Sequence, residues 1–513
     1  MFFSELQEKR NINNRSRNFA FIIIFKLDVV YNTNLMKNII FLICLFLFSC
    51  NQKENDLPNV IIIFADDLGY NDISFHGTSD INTPNIDNIG KNGVFFTSGY
   101  LTTPFCSPSR AGLITGRYPD YFGYGRNILF APKDPNMGLP ITEFTMADLF
   151  KTKDYKTGII GKWHLGAHES LRPNSRGFDE FFGHLTGGHR YLPEELTLKD
   201  ETEVKAHNQA YRTKILRNTN RVEIDDYLTD EFSDEAVKFI ENNSNKPFFL
   251  YLPYNAPHGP IQAPEKYVNR FPNIDNPLRK IYAGMISSMD DGVGKIVQKL
   301  KEENVYDNTI IFFLSDNGAP KKRWTDKDGA NSPFSGFKGS DLGEGGVRTP
   351  FFMQWPNKIK ANIKYDNPVS SFDIFATMKS IINPDYELPN QIHGKNILPY
   401  VLGEKSGMPH ESLFWKINGD FKIENNDTIR GKPRFAIRSN NYKMIVDQDG
   451  NNFLYDLNKD ISEKNNIAVD FPEITNELIQ KIDEWNKKTI NPVFLGLANN
   501  QLYNKLNPDR FKY

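Results

Sequence analysis

The chain has 513 residues, and its 61 lysines and arginines almost balance its 63 aspartates and glutamates. That balance excludes a nucleic-acid binder working through bulk positive charge, so any anion must be held by a local cluster. The length exceeds what one hydrophobic core fills, and one large domain with a smaller companion is expected.

From Met36 the chain reads MKNIIFLICLFLFSCNQKEND: one lysine, a short apolar run, Leu-Phe-Ser-Cys, then polar chain. The run is too short for a comfortable bilayer span and suits the core of a signal peptide. LFSC resembles the lipobox of bacterial lipoproteins. It implies a signal peptide over 36–49, a lipidated Cys50 as first mature residue and a polar tether over 50–57. Residues 1–35 then read as a wrongly extended start. The alternative is an uncleaved membrane anchor. An exported lipoprotein is expected, lipid-anchored in the periplasm or at the outer-membrane or cell surface. Cys44 is lost with the leader. Cys106 is then left without an intramolecular partner in an oxidising compartment, where a free thiol is a liability unless it is used.

PNVIIIFADD opens the mature chain as a buried parallel strand that ends in Asp66 and Asp67. In TTPFCSPSRAGLITGR (102–117), Ser107 is a candidate N-cap and Pro108 suits a first helical turn. Cys106 would then stand at a helix N-terminus, which favours an anion, with Arg110 about one turn in and able to reach back. Two plain uses stay open for Cys106, an activated thiolate or a small hydrophobe. YKTGIIGKWHLG (155–166) puts Lys162 and His164 on one side of extended chain. TDEFSDEAVKFIEN (229–242) has helical spacing behind a Thr229 cap.

KPFFLYLPYNAPH is a strand running into a proline-bounded loop at His258, and 281–303 reads as a long helix. NTIIFFLSDNG is another buried strand, ending at Asp316 and Asn317, and FSGFKGSDLGEGGVRTP sets Lys338 among glycines, where backbone can approach a ligand. The pattern changes near 395–410. Antiparallel strands follow over 433–457 with a turn at Asp449-Gly450, then an amphipathic helix capped by Asp470 that buries Ile474, Leu478, Ile482 and Trp485.

The fold class is therefore α/β. A large N-terminal domain (58–405) with a mixed, mostly parallel sheet sandwiched by helices precedes a smaller C-terminal α+β domain (406–513) with an antiparallel sheet. Ligands of such open sheets bind beyond the carboxyl ends of the strands, so Asp66, Asp67, His258, Asp316 and Asn317 should converge. The acids and the amide offer oxygen donors, the set for a hard cation such as Ca²⁺ or Mg²⁺.

CSPSRAGLITGR resembles the C-x-P-S-R signature of the type I sulfatases of the alkaline phosphatase superfamily, and GKWHLG resembles their second signature. The likeness runs in consistent order from Asp66-Asp67 to LYDLNKDISEKNNIA near the C-terminus. It implies that a maturation enzyme oxidises Cys106 to formylglycine (3-oxoalanine), whose hydrate attacks sulfur. It implies one Ca²⁺ held by Asp66, Asp67, Asp316, Asn317 and the modified Cys106, and a catalytic set of Arg110, Lys162, His164, His258 and Lys338. Lys162 and Lys338 would hold sulfate oxygens and Arg110 would steady the hydrate. His258 with Lys338 would protonate the leaving alcohol, and His164 would take the proton that lets sulfate depart.

His189 and Arg190 in TGGHRY (186–191) and Trp324 in KKRW (321–324) are candidate substrate contacts, for an anion, a hydroxyl or a sugar ring. The expected activity is sulfate-ester hydrolysis on a sulfated carbohydrate, an algal polysaccharide or its oligosaccharides of ulvan or carrageenan type. The alternatives are a phosphonate or phosphodiester hydrolase of the same superfamily, or a catalytically dead glycan-binding surface lipoprotein.

Overall fold

The apolar runs of the sequence form strands. In chain order they are β1 (Asn59–Ala65), β2 (Val94–Phe96), β3 (Gly99–Tyr100), β4 (Lys156–Lys162), β5 (Glu180–His184), β6 (Ile215–Arg217), β7 (Asn220–Val222), β8 (Phe248–Pro253), β9 (Thr309–Ser315), β10 (Phe351–Gln354), β11 (Ile363–Tyr365) and β12 (Val369–Ser370). The computed structural model describes residues 57–77, 80–325, 329–339, 342–424 and 427–512. The expected start, the signal peptide 36–49, Cys44, Cys50 and all of the tether except Leu57 lie outside the described residues. Among the described residues, no helix is long and apolar enough to cross a membrane.

Ten strands make one sheet in the order β11-β2-β10-β9-β1-β8-β4-β5-β6-β7. The central five, β9-β1-β8-β4-β5, are parallel. β10 and β6 run antiparallel to their central neighbours β9 and β5. Every residue of β1, β8 and β9 is buried, because helices cover both faces. Val60, Ile62 and Phe64 of β1 point to one apolar cluster, with Ala111 and Leu113 of the Cys106–Thr115 helix. Ile61, Ile63 and Ala65 point to the other, with Phe232 of the Leu228–Asn243 helix and Met289 of the Pro277–Glu302 helix.

Helix boundaries depart from the sequence expectation by a residue or more. The Leu228–Asn243 helix is entered at Tyr227, so Thr229 lies in its first turn and is not the cap. The long helix starts early, at Pro277, because the Asn276 side chain accepts the N–H groups of Leu278 and Arg279. The last long helix, Pro472–Asn486, is entered at Phe471, with Pro472 in its first turn, and Asp470 lies outside it.

The C-terminal strands are β13 (Ser412–Ile417), β14 (Phe421–Glu424), β15 (Asp427–Arg430), β16 (Arg434–Ser439), β17 (Tyr442–Val446) and β18 (Asn452–Asp456). β13-β16-β17-β18 form an antiparallel sheet, and β14 pairs with β15. One face packs Ile437, Met444 and Leu454 on Leu478 and Ile482 of the last long helix. The other places Leu413, Trp415 and Ala436 against Tyr100, Val347 and Phe372 of the first half, so the two halves share a core.

Candidate active site

Four parallel neighbours, β9, β1, β8 and β4, deliver their carboxyl ends to one rim of the sheet. Asp66 follows β1, Asp316 follows β9, Lys162 ends β4, and His258 stands in the loop after β8. The Asp66 N–H donates to the Ala256 carbonyl and the Asp316 N–H to the Ala65 carbonyl, both at 3.0 Å, which ties the three ends together. The approach of β4 to β8 requires Gly161: a Cβ there would lie 2.0 Å from the Pro253 carbonyl oxygen. Two rim residues other than glycine, Asp67 and His164, adopt left-handed backbone (φ 66° and 53°), a strain that proteins concentrate at working sites.

The Cys106–Thr115 helix points its first residue, Cys106, at this rim, and the thiol is 2% exposed. The residue ahead of the helix is Phe105, so Ser107 lies inside the first turn and is not the N-cap. Its N–H donates to Asn127 Oδ1 at 3.0 Å, and its hydroxyl donates to the His164 carbonyl at 2.8 Å. Gly116, in left-handed backbone, closes the helix.

Charges pack around position 106, and those of Asp66, Asp316, Lys162 and Arg110 are fully buried. Lys162 Nζ lies 2.6 Å from Asp66 Oδ2, and Lys338 Nζ lies 2.5 Å from Asp67 Oδ1. Arg110 donates from Nε (3.0 Å) and Nη2 (2.6 Å) to Asp316 Oδ2 and from Nη1 (3.1 Å) to the Lys162 carbonyl. Its Nη2 is also 3.8 Å from Asp66 Oδ1, so one guanidinium bridges the acids after β1 and β9. Asn317 Nδ2 donates to Asp67 Oδ1 at 2.6 Å.

The site is short of positive charge at one place. Burial, then Asp316, push the Asp66 carboxyl up to about 8, even though Lys162 touches it. Asp67 and Asp316 are buried too, yet cations hold both below the usual carboxylate range: chiefly Lys338 for Asp67, Arg110 and Lys162 for Asp316. Two buried oxygens, Asp66 Oδ1 and Asn317 Oδ1, have no hydrogen-bond partner. Donor atoms of Asp66, Asp67, Cys106 and His258 all lie within 4.8 Å of one another. Orphaned oxygens and a carboxylate starved of charge are what a hard cation would satisfy. The residues present therefore fit such an ion. His258, expected as a proton donor, also enters this donor group.

Burial pushes the Cys106 thiol up to about 11 despite Lys162 and Lys338, so the unmodified residue is not an activated thiolate. Burial and the nearby cations hold His164 neutral. Burial also pulls His258 down to about 3, and its Nδ1 meets the Gly259 carbonyl at 2.6 Å. Its Nε2 then faces Asp67 Oδ2 at 3.8 Å. Burial works against the Lys338 charge, but Asp67 outweighs it and holds the ammonium charged.

A cavity of about 590 Å³ opens over Asp67, His258 and Lys338. Trp324 and Lys322 of KKRW line it, as do two residues without a local sequence signal, Phe105 and Asn127. They come from loops brought in by the topology. His189 and Arg190 do not line it. His189 is buried with its ring 4.7 Å from His184, and its Nδ1 meets the Arg190 carbonyl. The Arg190 guanidinium pairs with Glu195 at 3.3 Å. The TGGHRY loop thus engages both side chains in local contacts.

The sulfatase family profile matches residues 58–383, well over half of the chain. The chain belongs to the sulfatase family. It is an enzyme that hydrolyses sulfate esters, in a family that is generally metal-dependent. A second profile, N-sulphoglucosamine sulphohydrolase, C-terminal, matches residues 341–488 of this sulfatase. It is 28% identical to an uncharacterized sulfatase, YdeN, of Escherichia coli over 88% of each chain. It is 32% identical to the mouse N-acetylgalactosamine-6-sulfatase over 70% of this chain and 68% of that protein. Among solved structures it resembles Ps i-CgsB in complex with k-i-k-neocarrahexaose, with a TM-score of 0.79 and 35% identity, over 89% of this sulfatase and all of that chain.

Proposed function

We propose that this sulfatase removes sulfate from a sulfated polysaccharide or its oligosaccharides, of carrageenan type, through a formylglycine made from Cys106 beside one Ca²⁺. The observation that carries the reading is the gathering of Asp66, Asp67, Cys106 and His258 donor atoms within 4.8 Å, under a cavity. The similarity to a chain solved with a neocarrahexaose supports the substrate class.

Asp66, Asp67, Asp316 and Asn317 would hold the ion with the modified residue, and a bound Ca²⁺ supplies charge stabilisation for sulfate oxygens. The hydrated aldehyde supplies an attacking oxygen and a second hydroxyl through which sulfate is later expelled. The chain's own residues do the rest. Lys162 and Lys338, fixed by Asp66 and Asp67, present ammonium groups to the nonbridging oxygens. Arg110 locks Asp316 and the end of β4 in place beside position 106. His164, kept neutral, is the base that takes the proton of the second hydroxyl. Lys338 and His258, both on the cavity wall, flank the departing oxygen, and the charged Lys338 ammonium is the group that protonates it.

Maturation by a formylglycine-generating enzyme, export and lipid attachment at Cys50 belong to the same proposal. The test is release of inorganic sulfate from defined sulfated oligosaccharides by natively made protein, with Cys106→Ala as the control and peptide mass read at position 106. An active protein that retains an unmodified thiol there overturns the reading.

A further inference from the structure

Next to the cavity over Asp67 lies a second one of about 720 Å³, and the two share Phe105, Asn127 and Gly339 as walls. The second cavity lies between the loop after the Cys106–Thr115 helix and the C-terminal half. Its cations are Arg126, Lys432 and Arg434, against Asp420 and Asp449.

Arg126 is the unusual member. It is 5% exposed, and its Nε and Nη1 are buried without any hydrogen-bond partner. Nη2 donates to the Gly419 carbonyl, and the guanidinium stacks 4.8 Å from the Phe421 ring centroid. Among the described residues no carboxylate forms an ion pair with it, the cavity acids Asp420 and Asp449 included. A buried guanidinium with free donors is costly, and folds retain one mainly where a partner arrives. Its planar fork matches the paired oxygens of a sulfate or carboxylate. Arg126 lines this cavity, so a turn of the side chain would bring its unused donors to an anion seated there.

We propose that Arg126, with Lys432 and Arg434 beside it, binds a second anionic group of the substrate, carried by a sugar neighbouring the one being desulfated. The inference rests on the carbohydrate-sulfatase reading and deepens it: the substrate is a polyanionic oligosaccharide laid across both cavities. The second group is a sulfate ester or a uronate carboxylate, which share the same oxygen geometry.

The test compares three oligosaccharides of equal length: one monosulfated, one with a second sulfate on the neighbouring sugar, and one with a uronate there. The wild type is expected to favour a dianionic substrate over the monosulfated one in kcat/KM by at least about 10-fold, the scale of one charge-assisted fork. The favoured dianion identifies the group. Arg126→Gln is expected to bring that ratio close to one, chiefly through KM, and Arg126→Lys to restore part of it. Lys432 is exposed, so Lys432→Ala leaves the fold intact and is expected to lower the ratio several-fold. A wild-type ratio near one, or the same ratio in wild type, Arg126→Gln and Lys432→Ala, overturns the second-anion site while leaving the sulfatase reading in place. Failure of formylglycine-bearing wild type to desulfate any of the three overturns the carbohydrate reading and this inference with it.

Discussion

Two regions of this sulfatase bury clustered charge, and they differ in what is left over. Below the sheet rim, Asp66, Asp67 and Asp316 face Lys162, Lys338 and Arg110. Where the C-terminal sheet docks, Glu344 receives Lys443 at 2.8 Å and Arg348 at 2.9 Å, and Lys443 also reaches Glu463 at 3.3 Å. Both clusters mix signs evenly enough to exist in a low dielectric. Yet burial lifts Asp66 to about 8, whereas around Glu344 burial is outweighed by Lys443, Arg348 and Arg438, which hold it well below the usual range. The dock keeps one orphaned oxygen, Glu463 Oε1, with the Lys443 ammonium 3.3 Å away. The rim keeps two, Asp66 Oδ1 and Asn317 Oδ1, and opens to a cavity. The lesson is that incompleteness beside an open cavity, more than charge density, marks the place where a ligand belongs.

The comparison can be broken most decisively at the rim. Cys106→Ala should lower sulfate release by about 10⁴-fold or more, the scale of a lost nucleophile. Chelation should inactivate the enzyme by about 10³-fold, with recovery on added Ca²⁺ and a metal-dependent rise in Tm. Asp66→Asn sharpens the contrast. Burial already works against the Asp66 charge in the metal-free fold, so the variant's metal-free stability should change by only about 1 kcal/mol, while the Ca²⁺-dependent rise in Tm disappears. Glu344→Gln should do the reverse. It leaves Lys443 and Arg348 short of a buried anion and should lose about 3–5 kcal/mol in denaturant unfolding, with the Ca²⁺ response preserved. Equal stability losses at the two sites would erase the distinction. The smallest effect belongs to the cavity wall: Trp324→Ala should raise KM for an oligosaccharide about 2- to 12-fold by loss of aromatic stacking.

Much of the rim was legible in the sequence because a parallel strand buried on both faces is a continuous apolar run. Asp66-Asp67 and Asp316-Asn317 announce its end, and β1 and β9 pair with these acids side by side. Cys106 was legible through the helix that starts on it. What failed was local capping: Ser107, Thr229 and Asp470 have the chemistry of caps, but Phe105, Tyr227 and Phe471 occupy those places because tertiary packing sets the entry of each chain. β13 was missed although it completes the C-terminal sheet, since its partner β16 follows only after an intervening hairpin. Nothing in the local sequence singles out Lys443 or Arg126, and only the docking of distant segments buries them. His189 stands among glycines in the sequence, and the fold closes its ring onto His184.

The central place of β1 has a consequence for biosynthesis. Its partner β8 lies far downstream, with Phe248 joined to Asn59 across 189 residues. At ribosomal elongation rates the NVIIIFA segment must wait roughly 10–40 s for that partner, and longer for β9. During that interval the segment has neither of its sheet neighbours, and both of its edges stay open to non-native pairing.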